Sequence, residues 1–227
     1  MAALAGKEAL EVKRKRHSPE EIRRSVVEGY ARLAPSYDAR WPFYIDATAR
    51  ETAARLSLPP AGRLLDVGCG TGVLLRRLGV SYPLAELCGI DPVPEMLAVA
   101  RRRTPPNVHL CQGWAERLPF GDGRFDAVAS CNTLHYVREP LAALKEARRV
   151  LRPGGRLVLT DWCDDYLACR LLDLYLRLFD RAHFRTYGGR ECVRLLQKAG
   201  FVEVGLERYK INWWWGLMTA TAARPPV

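Results

Sequence analysis

The segment Leu64-Leu65-Asp66-Val67-Gly68-Cys69-Gly70-Thr71-Gly72-Val73-Leu74-Leu75 constrains this chain more than any other. An apolar run carrying one acidic residue passes through three alternate glycines into a second apolar run. That order reads as a buried strand, a tight turn and a helix, because glycines let the backbone bend sharply and approach a ligand closely. The helix start beyond them offers unpaired N–H groups, so the turn is a candidate site for a nucleotide-like ligand. The dinucleotide spacing G-x-G-x-x-G needs glycine at position 73, where this chain has Val73. A pyrophosphate cradle is therefore disfavoured, and so is a P-loop, since no Gly-Lys-Ser/Thr follows.

Short apolar runs alternate with helical stretches on either side of this motif. Arg63–Val67, Glu86–Ile90, Val108–Cys111, Phe125–Ser130 and Arg156–Thr160 read as buried parallel strands, with helices over Gly72–Leu78, Pro94–Arg103 and Pro140–Leu151. Pro153-Gly154-Gly155 reads as the turn that ends the last of these helices and launches the fifth strand. A long helix from about Tyr166 to His183 and a shorter one near Arg190–Lys198 follow. Phe201–Lys210 and Leu217–Ala223 are then expected to pair antiparallel at one sheet edge. Upstream, Ser18, Pro19, Glu20 and Glu21 read as N-cap, first helical residue and dipole-complementing acids of a helix running to about Leu33. Ala34-Pro35-Ser36 breaks it, and a second helix runs from about Pro42 to Leu56.

Composition narrows the class of protein. With 227 residues, 48% apolar and 26% charged, the chain is no disordered segment, and it can bury about 70% of its unfolded surface without staples. No apolar run reaches the 18 or so residues of a membrane span. Of the 35 basic residues 29 are Arg, scattered along a chain of net charge +10, with one compact cluster at Lys13-Arg14-Lys15-Arg16. That cluster is expected in a solvated, mobile arm. Seven cysteines, odd in number and without a C-x-x-C pair, fit a reducing cytoplasm and disfavour zinc. Lys7 and Glu8 interrupt the opening Met1–Leu10, which does not read as a signal sequence.

A larger constellation carries a resemblance. Leu64–Gly72, Gly89-Ile90-Asp91, Glu116-Arg117-Leu118-Pro119-Phe120, Phe125-Asp126-Ala127-Val128 and Leu151-Arg152-Pro153-Gly154-Gly155 resemble, in order and spacing, the class I S-adenosylmethionine-dependent methyltransferases. The similarity is greatest to the small-molecule branch that includes quinone-biosynthesis C-methyltransferases, and it covers about residues 30 to 160. It implies a Rossmann-like, seven-stranded, mostly parallel sheet with an antiparallel C-terminal edge pair and an N-terminal helical cap. The chain then divides into an arm (1–17) and a single domain (18–227). Within the domain lie a helical lid (18–61), a cofactor-binding core (62–161), acceptor-side helices (162–200) and a strand pair (201–227).

The resemblance also implies roles. Asp66, Gly68, Cys69, Gly70 and Gly72 would line the methionine end of S-adenosylmethionine, with Asp66 either touching it or anchoring the glycine turn. Asp91 would accept the ribose hydroxyls, with Pro92, Met96 and Asn132 also beside the cofactor. Trp114, Ala115 and Glu116 would border the adenine, although relatives usually carry Asp where Trp114 stands. Tyr30, Tyr37 and Trp41 look like an aromatic lid, and the segment from Trp162 to Tyr187 would build the acceptor wall.

Methyl transfer is a displacement that needs few catalytic groups. If the acceptor must lose a proton, the candidate bases are His135, Tyr136, Asp161 and Asp164 at strand ends, with packing as the alternative role of His135. Trp213-Trp214-Trp215 either fill the core or, with Trp213 and Trp214 on the acceptor side, serve a lipophilic acceptor or a membrane interface. The expected activity is methylation of a small hydrophobic or aromatic metabolite. The alternatives are an RNA or tRNA methyltransferase, suggested by the basic arm, and a non-catalytic cofactor-binding partner. No stable nucleic-acid complex and no metal are expected, and the candidates for peripheral membrane contact are the tryptophan cluster and the arm.

Overall fold

The computed structural model describes residues 19–180 and 183–226, so the arm and the Ser18 cap lie outside the described residues. Three helices precede the sheet: α1 (Pro19–Leu33), the short α2 (Tyr37–Arg40) and α3 (Pro42–Ala54). The alternating core follows as β1 (Arg63–Val67), α4 (Val73–Ser81), β2 (Glu86–Asp91), α5 (Pro94–Arg103), β3 (His109–Gln112), β4 (Phe125–Cys131), α6 (Pro140–Val150) and β5 (Leu151–Trp162). A 3-10 turn at Leu134–Tyr136 caps β4, and α7 (Leu167–Phe179), α8 (Gly189–Lys198), β6 (Val202–Lys210) and β7 (Gly216–Ala223) complete the fold. No helix among the described residues is long and apolar enough to cross a membrane.

The seven strands lie in the order β3-β2-β1-β4-β5-β7-β6. The first five are parallel, and β7 runs antiparallel to both β5 and β6. Strand order reverses between β1 and β4, so the connections leaving their carboxyl ends diverge and open a crevice there. In that row Val67 sits beside Ile90 on one side and Ser130 on the other. Both sheet faces are covered, which explains why β1 and β2 read as unbroken apolar runs. Leu74, Leu75 and Leu78 of α4 and Ala49 of α3 pack on one face, and Leu144, Val150 and Leu196 of α6 and α8 on the other. A buried chain of hydroxyls, Thr52 to Thr160 at 2.8 Å, Thr160 to Thr219 at 2.9 Å and Thr219 to Tyr209 at 2.7 Å, ties α3 to β5, β7 and β6.

Two boundaries differ from the sequence reading. Pro153-Gly154-Gly155 is part of β5, not a turn ahead of it, because the strand begins at Leu151 and bulges: its register on β4 jumps from Phe125–Leu151 to Ala127–Arg156. The chain beyond β7 holds the bulge in the sheet, with Gly154 N–H donating to Arg224 O and Arg224 N–H to Gly155 O. The helix expected to reach His183 ends at Phe179. Beyond it the chain folds back, with His183 bonded to Asp173 and the amides of Phe184 and Arg185 donating to the carbonyl of His135.

Candidate active site

The glycine turn has the backbone that only glycine takes without strain: Gly68, Gly70 and Gly72 have φ of 76°, 51° and 79°. A Cβ at Gly68 would fall 2.2 Å from Thr133 Oγ1, whereas one at Gly70 would meet nothing within 4 Å. The turn is therefore packed behind Gly68 and open in front of Gly70. Asp91 braces it, its carboxylate accepting the amide of Gly70 at 2.9 Å and, through its other oxygen, that of Val93 at 2.9 Å. Burial pushes the Asp91 carboxyl up to about 6 against the pull of those two donors. Asp66 is only 1% exposed, and its Oδ1 has no hydrogen-bond partner. Burial, with the neighbouring Asp91 charge, drives its carboxyl up to about 8. From the helical cap, Asp38 accepts the Thr71 hydroxyl at 2.6 Å and pairs with Arg103, fastening α2 to the turn and to α5.

The glycine turn, Asp66 and Asp91 line an open cavity of about 800 Å³. Its lining combines the glycine turn, Asp66 and Asp91 with Val26 and Tyr30 of α1 and with Pro92, Val93 and Met96. A second cavity of about 900 Å³ shares Tyr30, Tyr37, Asn132 and Tyr136 with the first. Its wall is aromatic: Trp41, Tyr44, Trp162 and Trp215, with Leu172 and Leu176 from α7. Tyr44 stacks on Trp215 at 5.0 Å, and Tyr30 meets Tyr136 edge-on at 5.3 Å.

Asn132 stands where the cavities meet, and His135 lines the second of them. Asn132 has φ of 57°, donates through Nδ2 to Thr48 Oγ1 at 2.8 Å and keeps a buried Oδ1 with no partner. A strained residue with a spare acceptor at such a junction is the kind of feature that structure retains at a site of chemistry. His135, 2% exposed, lies flat on Trp162 at 4.8 Å, and its Nδ1 is 2.6 Å from Asp161 Oδ1. The Asp161 carboxylate also accepts the backbone amides of His135 and Trp162. Acid and imidazole are thus locked together; an ionised Asp161 accepts only from an Nδ1–H, the tautomer that leaves Nε2 as the acceptor nitrogen.

Several expected residues lie elsewhere. Trp114, Ala115 and Glu116 are not around the cofactor-side cavity, because the chain turns away after β3 and bridges back from Trp114 to Arg117. Trp114 instead lies beneath the Arg23 guanidinium at 5.1 Å. Tyr187 is packed in the core, bridged to Cys163, and does not reach the aromatic cavity. Trp213 and Trp214 are 82% and 44% exposed, while Trp215 supplies the wall. Asp164 lies off both cavities. Burial raises the Tyr136 hydroxyl well above its ordinary value, which favours the neutral phenol. Leu172 and Leu176 fall in the segment expected to build the acceptor wall, whereas Val26, Thr48 and Val93 were not foreseen. Their apolar or neutral character gives no sign by itself of facing a cavity.

Residues 65–159 match the family model described as a methyltransferase domain. With the sheet order above, this match makes the chain similar to the class I S-adenosylmethionine-dependent methyltransferases. An uncharacterized 37.1 kDa protein in transposon TN4556 of Streptomyces fradiae is 36% identical over 215 residues, 87% of this chain and 60% of its own length. The demethylmenaquinone methyltransferase of Thermus thermophilus is 39% identical over 140 residues, 59% of this chain and 64% of its own. The chain thus spans less than two thirds of either relative. In fold it is similar to Burkholderia thailandensis 1,6-didemethyltoxoflavin-N1-methyltransferase, solved with bound 1,6-didemethyltoxoflavin and S-adenosylhomocysteine, at a TM-score of 0.71 and 19% identity over 92% of this chain and 91% of that one.

Proposed function

We propose that this chain transfers a methyl group from S-adenosylmethionine to a small, hydrophobic or aromatic acceptor. The observation that carries the reading is the pair of joined cavities, one polar around an unpartnered buried carboxyl and the other walled by aromatic rings. The first suits the cofactor. Asp66 would take its ammonium group, Asp91 its ribose hydroxyls through the lone pairs that Gly70 and Val93 leave free, and Val26, Val93 and Met96 its base. When bound, the cofactor supplies a methyl group activated on a sulfonium, ready for in-line displacement. The protein's own contribution is to hold the partners in line, which can supply ~7–11 kcal/mol, and to keep water out with Tyr30, Tyr37 and Tyr136.

His135 would accept the proton of the acceptor at Nε2, while Asp161 holds the tautomer that leaves this nitrogen free and stabilises the imidazolium. The names of the menaquinone and toxoflavin enzymes support a cyclic or aromatic acceptor, but the acceptor itself is part of the proposal. A cytoplasmic setting belongs to it too, supported by seven unpaired cysteines. So does the division into arm, lid, core, acceptor-side helices and strand pair. A nucleic-acid acceptor is not favoured, since Arg55, Arg77, Arg103 and Arg149 are spent on acids of the fold itself.

Calorimetric titration with S-adenosylmethionine and S-adenosylhomocysteine, with NAD as competitor and Asp91→Ala as control, tests the reading. Binding of the sulfur compounds that the substitution weakens is expected. Binding of NAD in their place would overturn it.

A further inference from the structure

Helix α7 has apolar side chains on two sides. Leu172 and Leu176 face the aromatic cavity. Leu167, Leu171, Leu174, Tyr175 and Leu178, spaced at i, i+4, i+7, i+8 and i+11, share another face, and all of them are exposed, as is Phe179 beyond them. A stripe of this length exceeds the scattered apolar residues that a surface normally carries. The turn between β6 and β7 adds exposed Trp213 and Trp214, in edge contact at 5.2 Å. The two elements adjoin: Trp215 of that turn packs with Leu172 and Leu176, and Lys210 lies over the ring of Tyr166 at the start of α7.

The charges indicate what covers this surface. The acid of α7, Asp173, is buried and held by His183, Arg177 and the Thr186 amide. The exposed cations beside this surface are Arg170 of α7 and Lys210, whose ammonium donates to the Trp213 carbonyl. A second copy docked through the same face would bring these cations close to their counterparts. Anionic lipid headgroups would complement them, as they would a chain of net charge +10. Leu and Phe on one face, Arg at its edge and Trp beside it are what an interfacial helix presents to a bilayer.

We infer that α7 and the Trp213–Trp214 turn dock on an anionic membrane surface, which brings the wall of the aromatic cavity to the lipid. The advantage of this placement, direct entry of a lipophilic acceptor, rests on the proposed function; the docking itself is measurable without acceptor or cofactor. The full chain is cosedimented with vesicles of phosphatidylcholine alone and of phosphatidylcholine mixed with phosphatidylglycerol. Binding to the anionic vesicles is expected, weakened by salt and reduced about tenfold or more in a Leu171→Ser, Leu178→Ser variant. Both positions are exposed, so this variant should keep its unfolding temperature and its affinity for S-adenosylhomocysteine.

Three results would overturn the inference. The first is no association with either vesicle, and the second is equal binding by the variant, which would move the contact to another part of the chain. The third is a stable dimer in sedimentation velocity that the variant dissociates. Unchanged S-adenosylhomocysteine binding in any of these cases leaves the methyltransferase reading standing.

Discussion

Replacing Asp66 by Asn should make the ligand-free protein more stable and its cofactor weaker, by an amount that depends on pH. The Asp66 carboxyl is buried, lacks a partner at Oδ1 and is raised from 3.8 to about 8. An acid whose folded value lies above its unfolded one keeps its proton longer in the native state, so native stability is lost as pH rises from about 4 to about 8. At about pH 7 that interval spans roughly three pH units at ~1.4 kcal/mol each, a ceiling near 4 kcal/mol. Asparagine cannot ionise and escapes this loss, but its amide also lacks a partner there, which costs about 1–3 kcal/mol.

The net gain is about 1–3 kcal/mol near pH 7, or an unfolding temperature higher by about 2–10 °C, and it vanishes or reverses near pH 5. Differential scanning calorimetry of both proteins at the two pH values, with and without S-adenosylhomocysteine, measures it. Wild type should gain far more from the ligand than the variant, since a bound ammonium would turn the buried acid into an ion pair. A difference between the proteins that does not change with pH would refute the electrostatic reasoning. An undiminished ligand-induced shift in Asp66→Asn would refute the assignment of the carboxyl to the cofactor.

Four further outcomes are expected. Asp91→Ala removes the acceptor of two backbone amides and should weaken S-adenosylhomocysteine about a hundredfold by calorimetry. His135→Gln should lower kcat about 10²–10⁴-fold on an acceptor that loses a proton, with cofactor affinity unchanged, and Asp161→Asn should follow it in the pH–rate profile. Trp215→Ala should raise the KM of the acceptor about tenfold or more in steady-state assays, whereas Trp213→Ala should leave the KM of a freely soluble acceptor alone, because one ring walls the cavity and the other stands in solvent. Gly89→Ala places a methyl within 2.8 Å of Leu75, Cys69 and Leu110 side chains and should lower the unfolding temperature, by about 1–3 kcal/mol of overpacking.

The parts of this protein that follow from near neighbours in the chain were legible before any coordinates. Gly68, Gly70 and Gly72 announce a turn because glycine's backbone freedom is a local property, and continuous apolar runs announce buried parallel strands because both faces of such a strand must be covered. Asp91 stood out by its distance from the turn, since one strand–helix–strand unit sets that separation. Register, bulges and cavity walls depend on distant partners.

Pro153-Gly154-Gly155 became part of a strand because Arg224, far along the chain, pairs with it. Trp215 faces the cavity while Trp213 faces solvent because the turn lies against α7, a contact that three identical letters in a row cannot express. The pairing of His135 with Asp161 and the isolation of Asp66 arise from strand ends brought together by sheet order, as does the meeting of two cavities at Asn132. Local sequence determined which elements form and where a ligand can approach the backbone. Tertiary packing decided which side chains are left without partners there, because burial and missing partners belong to the assembled fold and not to any one segment.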